Sequence, residues 1–285
     1  MPESPEVQAL VEFAAMSAVG RVIREFEIVD FSCYKSRGAP PDILTGARLG
    51  AVRRHGKYVD VEVAAGDGEH RSHLIVGFGR HGWLVWDDGA SSGAEWTSRP
   101  ELPYAVGRVG FDDGTGFDVI DGVQFRSVGM WVVDDPSDVP AIARLGPDPL
   151  DPDFTREQFD RPIVGRRKQL KAVLQEQESF AGIGNAYSDE ILFRARLSPV
   201  IHAAALSPDH RDWLYETMIR ELREAVDARR GIRIDRLKAV KVAAMAVHGR
   251  AGQPCPGCGG RIRDFTFSGT TAQYCPSCQT GGTTL

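Results

Sequence analysis

The residues with the most chemistry to offer lie at the two ends of the chain. Near the C-terminus, Cys255, Cys258, Cys275 and Cys278 form a C-x2-C-x16-C-x2-C pattern. Each C-x-x-C turn aims two sulfurs at one point, and sixteen residues suffice for a hairpin that returns the second pair to the first. Four thiolates then close a tetrahedral site for one structural Zn2+ with no open coordination position. A pair of disulfides is the competing reading, and the absence of a secretory leader favours the metal. At the other end Met1 is followed by the small residue Pro2 and by Glu3. Removal of the initiator methionine leaves Pro2 with a free secondary amine, and an α-amine titrates near ~7.7–8.0, far below a lysine. Attack of such an amine on a sugar aldehyde carbon gives an iminium cation directly, an electron sink that promotes elimination. Glu3 is placed to shuttle protons beside it, and Glu6 lies one helical turn further on. Taken alone, the same string reads better as an acidic helix start favoured by the macrodipole.

Two internal strings add candidates. In Arg53-Arg54-His55-Gly56-Lys57-Tyr58 a lysine follows a glycine at the expected start of a strand, a position that suits a phosphate clamp or a proton-transfer partner as well as an ordinary surface lysine. In Phe180-Ala-Gly-Ile-Gly-Asn185-Ala-Tyr-Ser-Asp-Glu190, two glycines and an asparagine mark a tight turn between helices. Backbone amides opening the second helix can bind a phosphate, Gly184 lets it approach, and Asn185 supplies a side-chain donor.

These residues need elements to position them. With 285 residues and 42% hydrophobic content, the chain can bury a substantial core in two compact domains plus the cysteine module. Val7, Leu10, Val11 and Ala14 recur at helical spacing, so a helix leads the chain. Short strands are expected at 22–29, 48–63, 72–78, 83–86, 117–120 and 129–133, separated by Gly, Asp and Ser clusters, which suggests an antiparallel sandwich or barrel. Residues 134–153 carry five prolines and read as a linker with little room for regular structure. Segments 155–177, 186–196 and 207–230 have helical composition, with Thr155 and Ser207 as N-caps. The expected division is a sandwich domain at 1–133, a linker at 134–153, a helical domain at 154–246 and a zinc ribbon at 247–285, a multi-domain α+β chain. No apolar run reaches the length of a membrane span and no signal peptide opens the chain, so a cytoplasmic location is expected. Cys33 stands apart as a free thiol. The net charge is -5, yet residues 220–263 hold eleven Lys and Arg against four Asp and Glu, a local excess that favours a phosphate-backbone partner.

With these residues assembled, the chain resembles the Fpg/Nei family of DNA glycosylases along essentially its full length. The resemblance rests on PESPEV (2–7), RRHGKY (53–58), LGPDPL (145–150), AGIGNAYSDEILF (181–193), and VHGRAGQPCPGCGG (247–260) with YCPSCQ (274–279), in the family's order. It implies an N-terminal antiparallel β-sandwich with a leading helix, a helix-two-turn-helix domain, a C-terminal zinc ribbon, and damaged double-stranded DNA bound in a cleft by a monomer associated with the bacterial nucleoid while it acts. It also implies roles: Pro2 as Schiff-base nucleophile, Glu3 as general acid and base, Glu6 in support, Lys57 as the phosphate-binding catalytic lysine, and Asn185 as a backbone phosphate contact. The implied activity is bifunctional, excision of oxidised bases followed by abasic-site lyase cleavage in base excision repair.

The sequence also departs from the family. Its usual ribbon-tip arginine aligns with Thr270, within Ser268-Gly-Thr-Thr-Ala272. The methionine that fills the flipped-base void aligns with Arg80, beside His81. The arginine and phenylalanine wedge loop matches Phe125-Arg126-Ser127-Val128-Gly129, which keeps Arg126 but puts Val128 at the aromatic position, leaving Phe125 as an alternative wedge. Residues 231–247 lack the glycine-rich loop of the Fpg branch, so the chain leans toward the Nei side and toward oxidised pyrimidines. The alternative is a catalytically weakened protein that binds lesions on the same scaffold.

Overall fold

The computed structural model describes residues 1–36, 38–65, 70–89, 102, 104–123, 125–267 and 270–285. They group into two compact units, the first Met1–Pro2, Glu6–Ala143 and Arg230–Arg236, the second Glu3–Pro5, Arg144–Arg229 and Leu237–Leu285.

In the first unit, α1 (Ser4–Ala18) buries the face carrying Val7, Leu10, Val11 and Ala14. Eight strands follow: β1 (Ile23–Ile28), β2 (Arg48–His55), β3 (Tyr58–Ala64), β4 (Arg71–Gly77), β5 (Gly82–Asp87), β6 (Ala105–Phe111), β7 (Gly116–Asp121) and β8 (Gly129–Val133). They make two four-stranded antiparallel sheets, β1-β6-β7-β5 and β2-β3-β4-β8. The sandwich is the expected fold, with one strand the sequence did not disclose. In β6 every position is buried, so Ala-Val-Gly-Arg-Val-Gly-Phe shows no alternation of apolar and polar residues. Gly107 of β6 admits the Met130 side chain of β8, whose sulfur lies 2.7 Å from where a Cβ would sit. The α1 helix is tied to the sandwich by Phe13, edge-on to Trp86 at 5.4 Å, and Trp86 continues into Phe111 at 6.0 Å. Cys33 is fully buried, and burial raises its thiol above the usual range.

Two carboxylates on β3 are also buried. Asp60 receives His55 Nε2 at 3.0 Å on one oxygen and His73 Nδ1 at 2.7 Å on the other, and Glu62 sits between Arg53 and Arg71, each at 2.6 Å. These pairs cross β2, β3 and β4 and fasten the hairpin that carries Lys57.

The second unit is mainly helical. The proline-rich stretch that precedes it is more ordered than expected, because Pro140 opens α2 (Pro140–Ala143), where its missing N–H is not needed. Then come α3 (Arg156–Asp160), α4 (Leu170–Gln175), α5 (Asn185–Arg194), α6 (Pro208–Asp227) and α7 (Leu237–Ala244). Thr155 and Ser207 cap α3 and α6 as expected, Thr155 through a reciprocal capping box with Gln158. The single helix expected over 155–177 is broken into α3 and α4, since Pro162 lacks a donor and Gly165 takes φ +72°. Helix α7 lies outside the helical segments expected from sequence. Phe154, Phe159, Phe180, Tyr187, Leu214 and Met218 form the centre of the core. The ribbon contributes the antiparallel pair β9 (Arg263–Phe267) and β10 (Thr270–Tyr274), then α8 (Pro276–Gln279). Ser268 and Gly269 of its tip lie outside the described residues. Among the described residues no helix is long and apolar enough to cross a membrane.

Burial pushes the Asp60 carboxyl up, but hydrogen bonds from His55 and His73 outweigh it and hold the group below its ordinary value. A depressed folded-state value contributes stability above the unfolded value, near ~3.9, which is lost as pH falls through the folded one. Asp60→Asn should therefore be less stable than wild type at neutral pH, the gap in urea midpoint closing below about pH 4.

Candidate functional site

The centre of the site is the Glu3 side chain, 2% exposed. Its Oε2 accepts the Gly184 N–H at 2.6 Å and the Tyr187 N–H at 3.3 Å, and Oε1 accepts the Ala186 N–H at 3.0 Å. These are the free donors at the start of α5, whose dipole also favours an anion. Gly184 is required there, because a Cβ would lie 2.6–2.9 Å from the Glu3 carboxylate atoms. The Ser4 N–H adds a bond to the Gly182 carbonyl at 3.0 Å. The expectation of a phosphate at these helix amides is corrected, since an internal carboxylate already occupies Gly184, Ala186 and Tyr187.

Pro2, peptide-bonded to Glu3, is buried, while Met1 is exposed. Glu6 is buried one turn into α1. Lys57 belongs to the two-residue turn between β2 and β3, not to the strand itself, with Gly56 at φ +54° and its carbonyl held by Arg54 Nη1 at 3.0 Å. Asn185 accepts Gln175 Nε2 on Oδ1 at 2.9 Å, and its Nδ2 has no partner among the described residues. Two further cations of this neighbourhood lie outside the residues expected from sequence. Lys241 of α7 places Nζ 3.7 Å from Glu3 Oε1 and 5.0 Å from the centre of the Tyr187 ring. Lys171 of α4, buried, bonds Asp189 Oδ1 at 2.6 Å and Ser188 Oγ at 3.0 Å, and burial lowers its ammonium against the pull of Asp189. The apolar spacing of 237–244 was the signal available for Lys241. No local pattern marked Lys171.

The departures at Arg80 and at 125–129 lie in the first unit. Arg80 and His81 are exposed in the turn before β5, their side chains without partners among the described residues. Gly82 closes that turn, where a Cβ would lie 2.3 Å from the Phe78 carbonyl oxygen. Arg126 faces inward, bonding Asp30 at 3.2 Å, the Val123 carbonyl at 2.8 Å and the Asp121 carbonyl. Buried Asp121 accepts the Ser127 and Val128 N–H groups at 2.5 and 3.0 Å. Val128 is 2% exposed and cannot enter a void left by a flipped base, whereas Phe125 is 88% exposed.

The cysteine sulfurs all lie within 4.8 Å of one another. Cys255 to Cys278 is 3.9 Å and Cys258 to Cys275 is 3.5 Å, against about 3.8 Å for sulfurs on a tetrahedral zinc. The Gly260 N–H and neighbouring thiols lower Cys258 to about 7, while burial raises Cys275 and Cys278. One thiol thus ionises readily while Cys275 and Cys278 resist, a conflict that a divalent cation removes. The donor set fits one structural Zn2+. The ribbon is fastened to α5 by consecutive acids. Glu190 accepts the Ala246, Val247 and His248 N–H groups at 2.8–2.9 Å, and Asp189 holds His248 Nδ1 at 2.8 Å and the Gln273 N–H at 3.1 Å.

Known proteins resemble this chain in sequence and fold. The pattern of the formamidopyrimidine-DNA glycosylase N-terminal domain matches residues 1–129, and that of the formamidopyrimidine-DNA glycosylase H2TH domain matches residues 145–236. Formamidopyrimidine-DNA glycosylases of Heliobacterium modesticaldum and Paracoccus denitrificans are 31% and 33% identical, each over 98% of this chain and 100% of the relative. The crystal structure of the MutM (Fpg) protein from Thermus thermophilus superposes with a TM-score of 0.80 at 27% identity, covering 98% of both chains. The Lactococcus lactis Fpg, in complex with DNA containing an abasic site, shares the fold at a TM-score of 0.83 and 23% identity, covering 98% of this chain and 99% of its own. Fold and site define a DNA glycosylase with abasic-site lyase activity. The chain belongs to the formamidopyrimidine-DNA glycosylase family.

Because the ribbon hangs on α5 through Asp189 and Glu190, Cys258→Ser should release the metal and weaken DNA affinity while the β-sandwich stays folded. Metal analysis, DNA titration and near-UV circular dichroism check these outcomes, and unchanged affinity would show the ribbon to be dispensable.

Proposed function

We propose that the chain removes oxidised bases, pyrimidines ahead of purines, from duplex DNA in base excision repair through a Schiff base on Pro2. The observation that carries this reading is the Glu3 carboxylate, the side chain that follows Pro2 in sequence, fixed by three backbone donors at the start of α5. Once Met1 is removed, the damaged nucleotide leaves the stack, at a cost of a few kcal/mol that is least for a weakly paired lesion. The Pro2 nitrogen bonds to the sugar C1′ as the bond to the base breaks, and the base departs with that electron pair and takes up a proton. Glu3 takes the proton that the Pro2 nitrogen sheds on bonding and delivers it to the ring oxygen as the sugar opens to the iminium. Abstraction of a C2′ proton then expels the 3′ phosphate, and water releases the unsaturated sugar from Pro2.

Lys57, presented from a tight turn, serves the phosphate flanking the lesion, and the Asn185 Nδ2 serves another. Glu6 supports the site from α1. Of the candidates for the space left by the flipped nucleotide, exposed Phe125 suits a wedge, and Arg80 with His81 suits contact with the displaced base or its partner. Arg126 acts by pinning the loop. The pyrimidine preference is supported by 231–247, where α7 and its lysines stand in place of a glycine-rich loop.

Borohydride should trap processed, zinc-loaded protein on abasic DNA. Pro2→Gly or an uncleaved N-terminal tag should suppress the adduct, and Glu3→Gln should slow base excision by about 10²–10⁴-fold. Absence of any wild-type adduct would end the lyase proposal. Tight binding to damaged duplex without turnover would favour a lesion-binding role instead.

A further inference from the structure

The second unit contains a groove that the chemistry above does not use. It holds about 360 Å3 between the segment 167–172, the turn at 199–202 and the ribbon hairpin. Arg167, Lys168 and His202 line it with Lys171, and none of its lining residues is acidic. Phe265 and Ala272, a cross-strand pair of β9 and β10, form the ribbon wall. The opposite wall is built from hydrogen-bonded backbone. Leu170 and Ala203 donate to the carbonyls of Ile201 and Lys168 at 2.8 and 2.9 Å, so residues 168–170 and 201–203 run side by side. The ribbon wall is held as firmly, because the Gln273 N–H bonds the same Asp189 that fixes Lys171.

The cations differ in how committed they are. Lys168 contacts Glu176, which also takes Arg166 at 2.7 Å and lies outside the groove lining. The side chains of Arg167 and His202 have no partner among the described residues. A guanidinium, an ammonium and an imidazole around a cavity without carboxylates attract an anion. An aromatic wall beside them suits the apolar face of a sugar, and the volume accommodates one sugar-phosphate unit with its water.

We propose that this groove is a second backbone-phosphate site, in which Arg167, Lys168 and His202 grip the DNA strand beside the ribbon hairpin and supply the positive charge that Thr270 does not. The inference rests on the DNA-repair reading and adds to it a site on the α4 side of the ribbon. The strand occupies the groove by its phosphodiester, not by a base edge, so the contact is independent of sequence.

The test measures affinity for a duplex containing a stable abasic analogue as a function of salt, using full-length, zinc-loaded protein. Each lost phosphate contact makes the slope of log K against log salt shallower by roughly 0.9. Arg167→Gln/Lys168→Gln should lower the slope by about 1–2 and weaken binding most at low salt. His202→Ala, which removes no permanent charge, should weaken binding at low salt with little change of slope. Borohydride trapping at saturating abasic DNA should be unchanged in both variants. A double variant with wild-type slope and affinity would overturn the groove while leaving the enzyme reading intact. Wild-type protein that neither binds nor is trapped would overturn both.

Discussion

The site depends on a single compromise between charge and burial, a carboxylate placed at the start of a helix. Glu3 has almost no access to water, and what makes its charge tolerable is the row of N–H groups opening α5. The arrangement satisfies two demands together. The helix needs acceptors for its first donors, and the acid next to the N-terminal amine needs a fixed direction. Gly184 is the steric condition for both. Its backbone is ordinary extended chain, and what it provides is the missing Cβ.

The same helix organises the metal module at its other end. Tyr187 donates to Glu3 and its ring faces Lys241; two and three residues on, Asp189 and Glu190 turn toward the ribbon. Buried Lys171 closes the circuit through Asp189. A buried ion pair of this kind contributes little net stability once desolvation is counted, so its value lies in fixing geometry. Zinc does no chemistry in this scheme. It shapes a hairpin whose backbone, through Gln273, helps keep Asp189 and Lys171 where they are.

Much of this was legible in the chain, for reasons that differ by residue. The cysteines announce themselves because metal geometry demands a spacing. Thr155 and Ser207 are visible because caps are local, and the strands are visible where one face is polar. Buried β6 lacked that contrast. The break between α3 and α4 had visible causes, Pro162 and Gly165, that composition alone outweighed. The Glu3 contacts could not be foreseen, since they join residues far apart in sequence, and the amides of the Gly-Ile-Gly-Asn turn suit a phosphate and a carboxylate equally well. Arg126 and Val128 show the limit of motif alignment: a retained arginine can serve as an internal brace, and the valine at the aromatic position turned out to be buried.

The carboxylate at residue 3 has a consequence for the order in which the protein is made. Its first helical partner lies 181 residues downstream. During synthesis, the start of the chain leaves the ribosome long before α5 exists to receive it. The sandwich can gather its own strands in that interval, while Glu3 stays hydrated and its bonds to the amides of α5 stay unformed. Long-range closure of this kind is slow to form, and it makes the setting of Glu3 one of the last features the growing polypeptide acquires.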